Sequence, residues 1–459
     1  MTKHNNVEAL INKQKHYFNT NASKPLPFRI KQLKKLKIVL EKYEEELTNA
    51  IGVDFKKGSF NTFLTEFSGL YCDLNTTIRN LRKWARIKRV RTNLVNFPGA
   101  SYIIPEPLGV CLIIGSWNYP INVSIAPVIA AIAAGNTVIL KPSELVTKTS
   151  AVLEKMIRDN FDPSYFAVVV GGVEETTKLL SLQLDKIFFT GSVPVGKLVY
   201  QAAAKNLTPV VLELGGKCPL VVASDANLKI CVKRLVWGKF INAGQTCIAP
   251  DYVMIDENIK APFLEHLKKA IIEAQFSLSN QNYAQIIDEK HFDRLLNLIP
   301  PDKIFIGGEY DRATRFLAPT VLTNVSPEDK VMEDEIFGPI LPVLTYKDIK
   351  IAVGYIKSKP KPLAFYLFSE SNSLCNKILN EISFGSGAVN EVLMQFSNNR
   401  LPFGGVGHSG TGTYHGEAGF KCFSHFKSIL KKPTWFEFSF KYYPYHPWKY
   451  TIIKRALGL

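Results

Sequence analysis

Between Gly109 and Gly216 short apolar runs alternate with helical stretches, and that alternation leaves few architectures open. Gly109–Gly115 is a continuous apolar run, the pattern of a strand buried on both faces. Thr137–Lys141, Phe166–Val170, Lys186–Phe189 and Val210–Leu214 read as further strands. Between them lie an Ala- and Ile-rich helix over Pro120–Gly135, a helix starting near Glu144, and helices over Glu174–Leu182 and Val195–Lys205. This pattern predicts an α/β fold with a parallel, doubly wound sheet, which binds its ligands at the carboxyl ends of the strands. The loops after Gly115, Lys141, Thr190 and Leu214 are where a site is expected. A second α/β pattern follows Gly216, with helices over Leu228–Asn242 and Pro262–Ala274 and strands over Tyr252–Ile255, Ala364–Leu367 and Gly387–Val389. Residues before Arg79 are mainly helical and amphipathic.

A chain of 459 residues exceeds one ordinary core, so two or three domains are expected. Hydrophobic residues at 46% and charged residues at 21% indicate a folded protein. The net charge of +16 suits an anionic cofactor, a nucleic acid or a membrane surface. No aromatic-interleaved basic motif of a nucleic-acid module is present, and no nucleic-acid partner is expected. The basic run Arg79–Arg91 reads as a solvated helix face or an interface. Seven scattered cysteines without a Cys-x-x-Cys pair argue against a disulfide framework and against a zinc site. No apolar leader is evident at the polar start, and the longest apolar stretch, Ile121–Ala134, is too short for a bilayer. A cytoplasmic location is expected. The end of the chain, Lys432–Tyr450, is rich in Pro and aromatic residues, unlike everything before it.

Cys247 lies in Asn242-Ala-Gly-Gln-Thr-Cys-Ile-Ala-Pro-Asp251, where small neighbours admit a substrate and a turn can aim N–H groups at developing charge. It is a candidate nucleophile, although most lone cysteines are inert core residues. Glu213, in Leu212-Glu-Leu-Gly-Gly-Lys217, ends an apolar strand; it is either a general base of raised pKa or the partner of a nearby cation. Phe189-Thr-Gly-Ser-Val-Pro-Val-Gly-Lys-Leu198 reads as strand, glycine turn and helix, so Gly191 and Ser192 can present free N–H groups to a phosphate. It fails as a P-loop at Leu198, where Ser or Thr must hold magnesium, and it lacks the Gly-x-Gly-x-x-Gly fingerprint. Lys141 and Glu144 follow a buried strand and can bond ribose hydroxyls; helix capping explains Ser143 and Glu144 equally well. Asn118 can stabilise an oxyanion through its amide, or form an Asx turn before Pro120. Glu335-Ile-Phe-Gly-Pro339 and Leu401–Gly410 are glycine-containing loops that let backbone or ligand approach closely.

Together these segments resemble the aldehyde dehydrogenase superfamily, and within it the class 3 branch of fatty and aromatic aldehyde dehydrogenases. The likeness runs from about Arg79 to Lys432, in the family's order. Its most class-3-like stretches are Gly244–Tyr252, Thr208–Lys217, and Leu401–Gly410 followed by Tyr414-His-Gly416.

The resemblance implies a Rossmann-type NAD(P)-binding domain over residues 1–86 and 111–212 and an α/β catalytic domain over 213–397. It also implies a small bridging arm for dimerisation over 87–110 and 398–431, with a separate aromatic, basic tail over 432–459. Carried onto this chain, Cys247 is the nucleophile, Asn118 the oxyanion side chain and Glu213 the general base. Lys141 and Glu144 match the adenine-ribose contacts, Gly191 and Ser192 the pyrophosphate turn, and Glu335 and Phe337 the contacts to the nicotinamide ribose. Three positions depart from the pattern: Val193 stands for the usual Thr, Cys218 for Ser and His408 for Asn. The implied activity is NAD(P)-dependent oxidation of medium- or long-chain aliphatic or aromatic aldehydes to acids, through a cysteine thiohemiacetal and thioester. NAD is expected as cofactor, with NADP as the alternative, and the implied assembly is a homodimer. A CoA-acylating relative, and a cysteine hydrolase pairing Cys247 with His415 or His425, are the rivals. The tail is expected to pack onto the body or across the dimer, with peripheral membrane contact as the alternative.

Overall fold

The computed structural model describes residues 3–458. The first of its two large sheets has six strands, in the spatial order Gly410–Thr411, Val210–Glu213, Lys186–Thr190, Val110–Ile114, Thr137–Lys141 and Phe166–Val168. All neighbours are parallel except the first pair, where Gly410 stands opposite Glu213. Val110–Ile114 and Thr137–Lys141 are buried along their whole length, as continuous apolar runs between two helical layers must be. The helix Asn122–Ala134 is buried on every side, which explains why its apolar residues show no face preference. From Val110–Ile114 the next two strands are added on one side and the following two on the other. At such a reversal the loops leaving the strands diverge and open a crevice. Here those loops begin at Gly115 and Gly191.

The second sheet has seven strands, in the order Ile304–Ile306, Thr320–Leu322, Ile340–Tyr346, Tyr252–Asp256, Pro219–Val222, Ala364–Phe368 and Ser386–Val389. Only its first pair is antiparallel. A third, antiparallel sheet joins Lys88–Val90, Ala100–Pro107 and Ser424–Lys431. Segments entering strands of the second sheet, at Asp251 and Pro339, pack against loops leaving the first sheet at its carboxyl edge.

The helix expected near Glu144 begins instead at Thr147 and runs to Asn160. Neither Ser143 nor Glu144 caps it. Asp54, from the long helix Leu26–Phe55, accepts the Lys148 and Thr149 N–H groups at 3.3 and 2.9 Å and the Thr149 hydroxyl at 2.8 Å. Glu144 is thereby left outside the helix. The basic run places Arg79 and Arg82 on the last turns of the helix Ser68–Trp84 and Lys88 and Arg89 on a strand of the third sheet, all exposed. Among the described residues, no helix is long and apolar enough to cross a membrane.

Candidate active site

The loop that carries Cys247 is built from backbone that few residues tolerate. After the helix Leu228–Phe240 the chain turns through Asn242 and Ala243, both left-handed, with φ of 53° and 51°. Such conformations cost about 1–3 kcal/mol each and persist only where surrounding contacts over-determine them. The contacts are present. Gln245 Nε2 donates to the Asn242 and Gln285 carbonyls at 3.0 and 3.1 Å, and its Oε1 accepts the Ile287 N–H at 3.0 Å. Asn242 Nδ2 donates to the Asn118 and Gln245 carbonyls at 2.9 and 3.2 Å. Gly244 has φ of 73°, and a Cβ there would overlap the Gly338 carbonyl, so the loop carrying Cys247 lies directly on the loop carrying Glu335.

Cys247 is partly exposed at the end of this turn. Its thiol is held well above the usual range by burial first and then by the Glu335 and Glu213 carboxylates, against the pull of the Cys247 and Ile248 N–H groups. Asn118 is buried, and its amide donates to the Gln245 carbonyl at 3.2 Å. It thus faces the Cys247 loop across 127 residues of sequence and does not form a local Asx turn. Tyr119 shares a 2.5 Å hydrogen bond with Thr246 next door.

Glu213 ends its strand buried, and neither carboxylate oxygen has a hydrogen-bond partner. No ion pair reaches it among the described residues, so the salt-bridge alternative fails. Burial alone pushes its carboxyl well above the usual range. Glu335 packs onto Gly215, where any side chain would overlap its carboxylate. Burial and the Asp251 carboxylate raise Glu335 to about 8, against the Gly216 N–H, Lys217 and Arg294. The Phe337 ring meets Trp117, the sequence neighbour of Asn118, edge-on with 5.3 Å between centroids.

The remaining positions lie around the same crevice. Lys141 is buried and pairs with the half-exposed Glu144 at 2.6 Å. Ser192 starts the twelve-residue helix Val193–Ala204 without capping it by its side chain, so first-turn N–H groups stay available to an anion. Gly191 lies against the Phe189 ring, where a side chain would collide.

Sequence reasoning missed several groups that shape the site. Lys217 Nζ donates to Asp251 at 2.6 Å and to the Val331 and Asp334 carbonyls at 2.9 and 2.8 Å. Asp251 in turn accepts the Ile336 N–H at 3.0 Å. Arg294 donates to the Ile336 carbonyl at 2.7 Å from an amphipathic helix with no motif to mark it. Lys239 is fully buried beside them, and desolvation lowers it to about 8. Lys217 and Asp251 sit inside motifs already singled out; the other two carry no local signal. The hydrolase alternative finds no geometry. His415 is buried among Phe396, Phe403 and Tyr414 and held near 4 by desolvation, and His425 lies exposed on the arm.

A doubly wound sheet whose crevice meets a strained thiol loop and an unpaired buried carboxylate defines an α/β enzyme suited to covalent chemistry on a bound dinucleotide. The chain belongs to the aldehyde dehydrogenase family, whose model matches residues 1–429. It is similar to 4,4'-diaponeurosporen-aldehyde dehydrogenase of Staphylococcus aureus, 43% identical over 96% of this chain and 97% of the relative. It is similar also to aldehyde dehydrogenase family 3 member A2 of Pongo abelii, 43% identical over 93% of this chain and 88% of the relative. A solved structure, the substrate-bound state of Staphylococcus aureus AldH, superposes with a TM-score of 0.96 at 42% identity, covering 98% of this chain and 99% of that one. The class 3 resemblance therefore holds, and the activity is NAD(P)-dependent oxidation of aldehydes to acids.

Proposed function

We propose that Cys247, Asn118 and Glu213 carry this oxidation through a thioester on Cys247. The observation that carries the reading is Glu213: a buried carboxylate with two unpartnered oxygens beside a thiol loop. A carboxyl held above its usual range can take a proton near neutrality, first from the thiol and later from water. The Cys247 thiolate adds to the aldehyde carbonyl, and the Asn118 amide with the Cys247 N–H receives the resulting oxyanion. A nicotinamide held in the crevice would supply the hydride acceptor that oxidises the thiohemiacetal carbon to the thioester. Glu213 passes the thiol's proton to solvent, then draws a second from the water that adds to the thioester carbonyl; the carbon–sulfur bond breaks, and the acid leaves with the Cys247 thiolate restored. A CoA-acylating enzyme has no use for such a base.

The crevice fits a dinucleotide in its polar layout. The Ser192 helix start and Gly191 suit the pyrophosphate, Lys141 and Glu144 the adenine ribose, and Glu335 and Phe337 the nicotinamide ribose. Glu144 favours NAD, because a carboxylate bonds a 2′-hydroxyl and repels a 2′-phosphate. Glu144→Ala is expected to narrow the ratio of kcat/KM between NAD and NADP; an unchanged ratio places Glu144 outside the ribose site.

Residues 1–86 and 111–212 are assigned to cofactor binding, 213–397 to catalysis, and 87–110 with 398–431 to the arm. The arm exposes Ile87, Leu94, Val95, Phe97 and Leu430, an apolar face suited to a second copy of the chain. The likeness to 4,4'-diaponeurosporen-aldehyde dehydrogenase and to aldehyde dehydrogenase family 3 member A2 supports apolar, medium- to long-chain aliphatic or aromatic aldehydes as substrates, and a cytoplasmic location is proposed with them. A panel of short, long and aromatic aldehydes, each assayed for reduced nicotinamide with both cofactors, tests the reading. Equal kcat/KM for acetaldehyde and long-chain substrates would remove the apolar preference, and no turnover with any would remove the site assignment.

The tail supports a second contact. Trp435, Tyr443, Tyr445, Trp448 and Tyr450 are half or more exposed and are interleaved with Lys441, Lys454 and Arg455, a composition suited to lipid headgroups. Equal sedimentation with anionic vesicles before and after truncation at Lys432 would exclude membrane contact through the tail.

A further inference from the structure

The buried helix Asn122–Ala134, which follows the Asn118 loop, is capped by a group far away in sequence. Its N-cap residue, Ile121, has no capping side chain. Glu66 Oε2 accepts the Ile121 and Asn122 N–H groups at 3.1 and 2.9 Å. Asn122 Nδ2 also reaches the Thr65 carbonyl at 3.4 Å. Glu66 lies in a π-helical turn, Phe63–Phe67, between the short helix Ser59–Thr62 and the helix Ser68–Trp84. An inserted π turn rotates the side chains of a helix relative to an uninterrupted α-helix, and such turns recur at functional sites.

Glu66 is wholly buried, and so, nearly, is its partner Lys57, whose ammonium stands 3.9 Å from Oε1. The same ammonium lies 4.8 Å from the centre of the Tyr119 ring, and the Tyr119 hydroxyl bonds Thr246, the neighbour of Cys247. Burying an ion pair is expensive, and a lone Ser or Asp would cap a helix at less cost. What the pair adds is connection: it ties the oxyanion loop from one end while Tyr119 ties it to the nucleophile loop from the other.

We propose that Glu66, held by Lys57, is a positioning residue that fixes the Ser116–Ile121 loop so that the Asn118 amide stays in register with Cys247. The proposal rests on the oxyanion role assigned to Asn118 above. Only two residues, Tyr119 and Pro120, separate Asn118 from the first N–H that Glu66 holds, so releasing that N–H loosens the amide. Glu66→Gln keeps one acceptor oxygen but loses the pairing with Lys57; Glu66→Ala loses both.

The experiment is a double-mutant cycle on the pre-steady-state rate of NADH formation per active site, with sites counted by NAD-binding stoichiometry from fluorescence titration. Glu66→Gln is expected to slow this rate about tenfold and Asn118→Ala about a hundredfold or more, with the NAD KM unchanged. In the Asn118→Ala background Glu66→Gln should then cost almost nothing further. Fold-losses that multiply would overturn the proposal, as would a wild-type rate per site with only a lowered Tm. Glu66→Ala, where it folds, should exceed Glu66→Gln; where it does not, Glu66→Gln alone completes the cycle. A normal rate in Asn118→Ala would remove the oxyanion assignment itself, and this proposal with it, which separates the two failures.

Discussion

Two stretches of this chain hold much irregular backbone: the Cys247 loop, residues 241–251, and the tail, residues 432–458. Both satisfy their polar groups internally, but at different sequence distances. In the loop, Gln245 bonds Gln285 and Ile287, and Asn118 reaches back to Gln245 from 127 residues away. In the tail, Lys449 Nζ donates to the carbonyls of Ser439, Tyr442 and Pro444, none more than ten residues off. The rings of Phe436, Phe438, Phe440 and Trp448 likewise meet one another. Long-range closure fixes where a segment sits; short-range closure fixes only its shape. The loop therefore has one position, dictated by the fold, while the tail carries its own shape to whatever it meets.

Substitutions in the loop and in the tail should differ accordingly. Cys247→Ala is expected to abolish aldehyde oxidation, with NAD binding by fluorescence titration nearly unchanged; retained turnover would end the loop's claim to the chemistry. Glu213→Gln should leave a burst of NADH followed by turnover slowed about 10²–10⁴-fold, because water loses its base. A burst seen only in Glu335→Gln would exchange the two carboxylates. Gln245→Ala orphans the Ile287 N–H in the interior and should cost about 1–3 kcal/mol in urea unfolding, with activity reduced. Truncation after Lys432 should move the Tm of the body by no more than about 2 °C, roughly the effect of half a kcal/mol or less in a domain of this size. A larger fall would show that the tail is held from afar as the loop is.

Much of the first sheet is legible in the sequence. Thr137–Lys141 falls where its apolar run places it, and the other four parallel strands lie within two residues of their expected ends, because strands buried on both faces need no partner to be recognised. Less of the second sheet is. Pro219–Val222 and Ile340–Tyr346 contain prolines, which read as breaks, yet Pro219 opens its strand and Pro342 sits inside one. The arm strand Ala100–Pro107 holds two prolines and was likewise silent. Ser143 and Glu144 suggest a helix start from local chemistry alone; the actual start is set by Asp54, which no local pattern reveals. The motifs place Cys247 and Asn118 on loops and Glu213 at a strand end, but the closures around them, Gln245 with Gln285 and Glu66 with Ile121, come from tertiary contact.

The edge strand beside Glu213 has a consequence for biosynthesis. Gly410 and Thr411, which close the sheet at the carboxylate, are made long after Cys247. At about 5–20 residues per second, the ribosome takes roughly 8–30 s to travel between them. Through that interval the thiol has left the peptidyl-transferase centre, while the wall that keeps its neighbouring carboxylate dry has not yet been translated. The buried setting of Glu213, and with it the share of the Cys247 thiol's upward shift that comes from that carboxylate, is therefore completed only once Thr411 has been made.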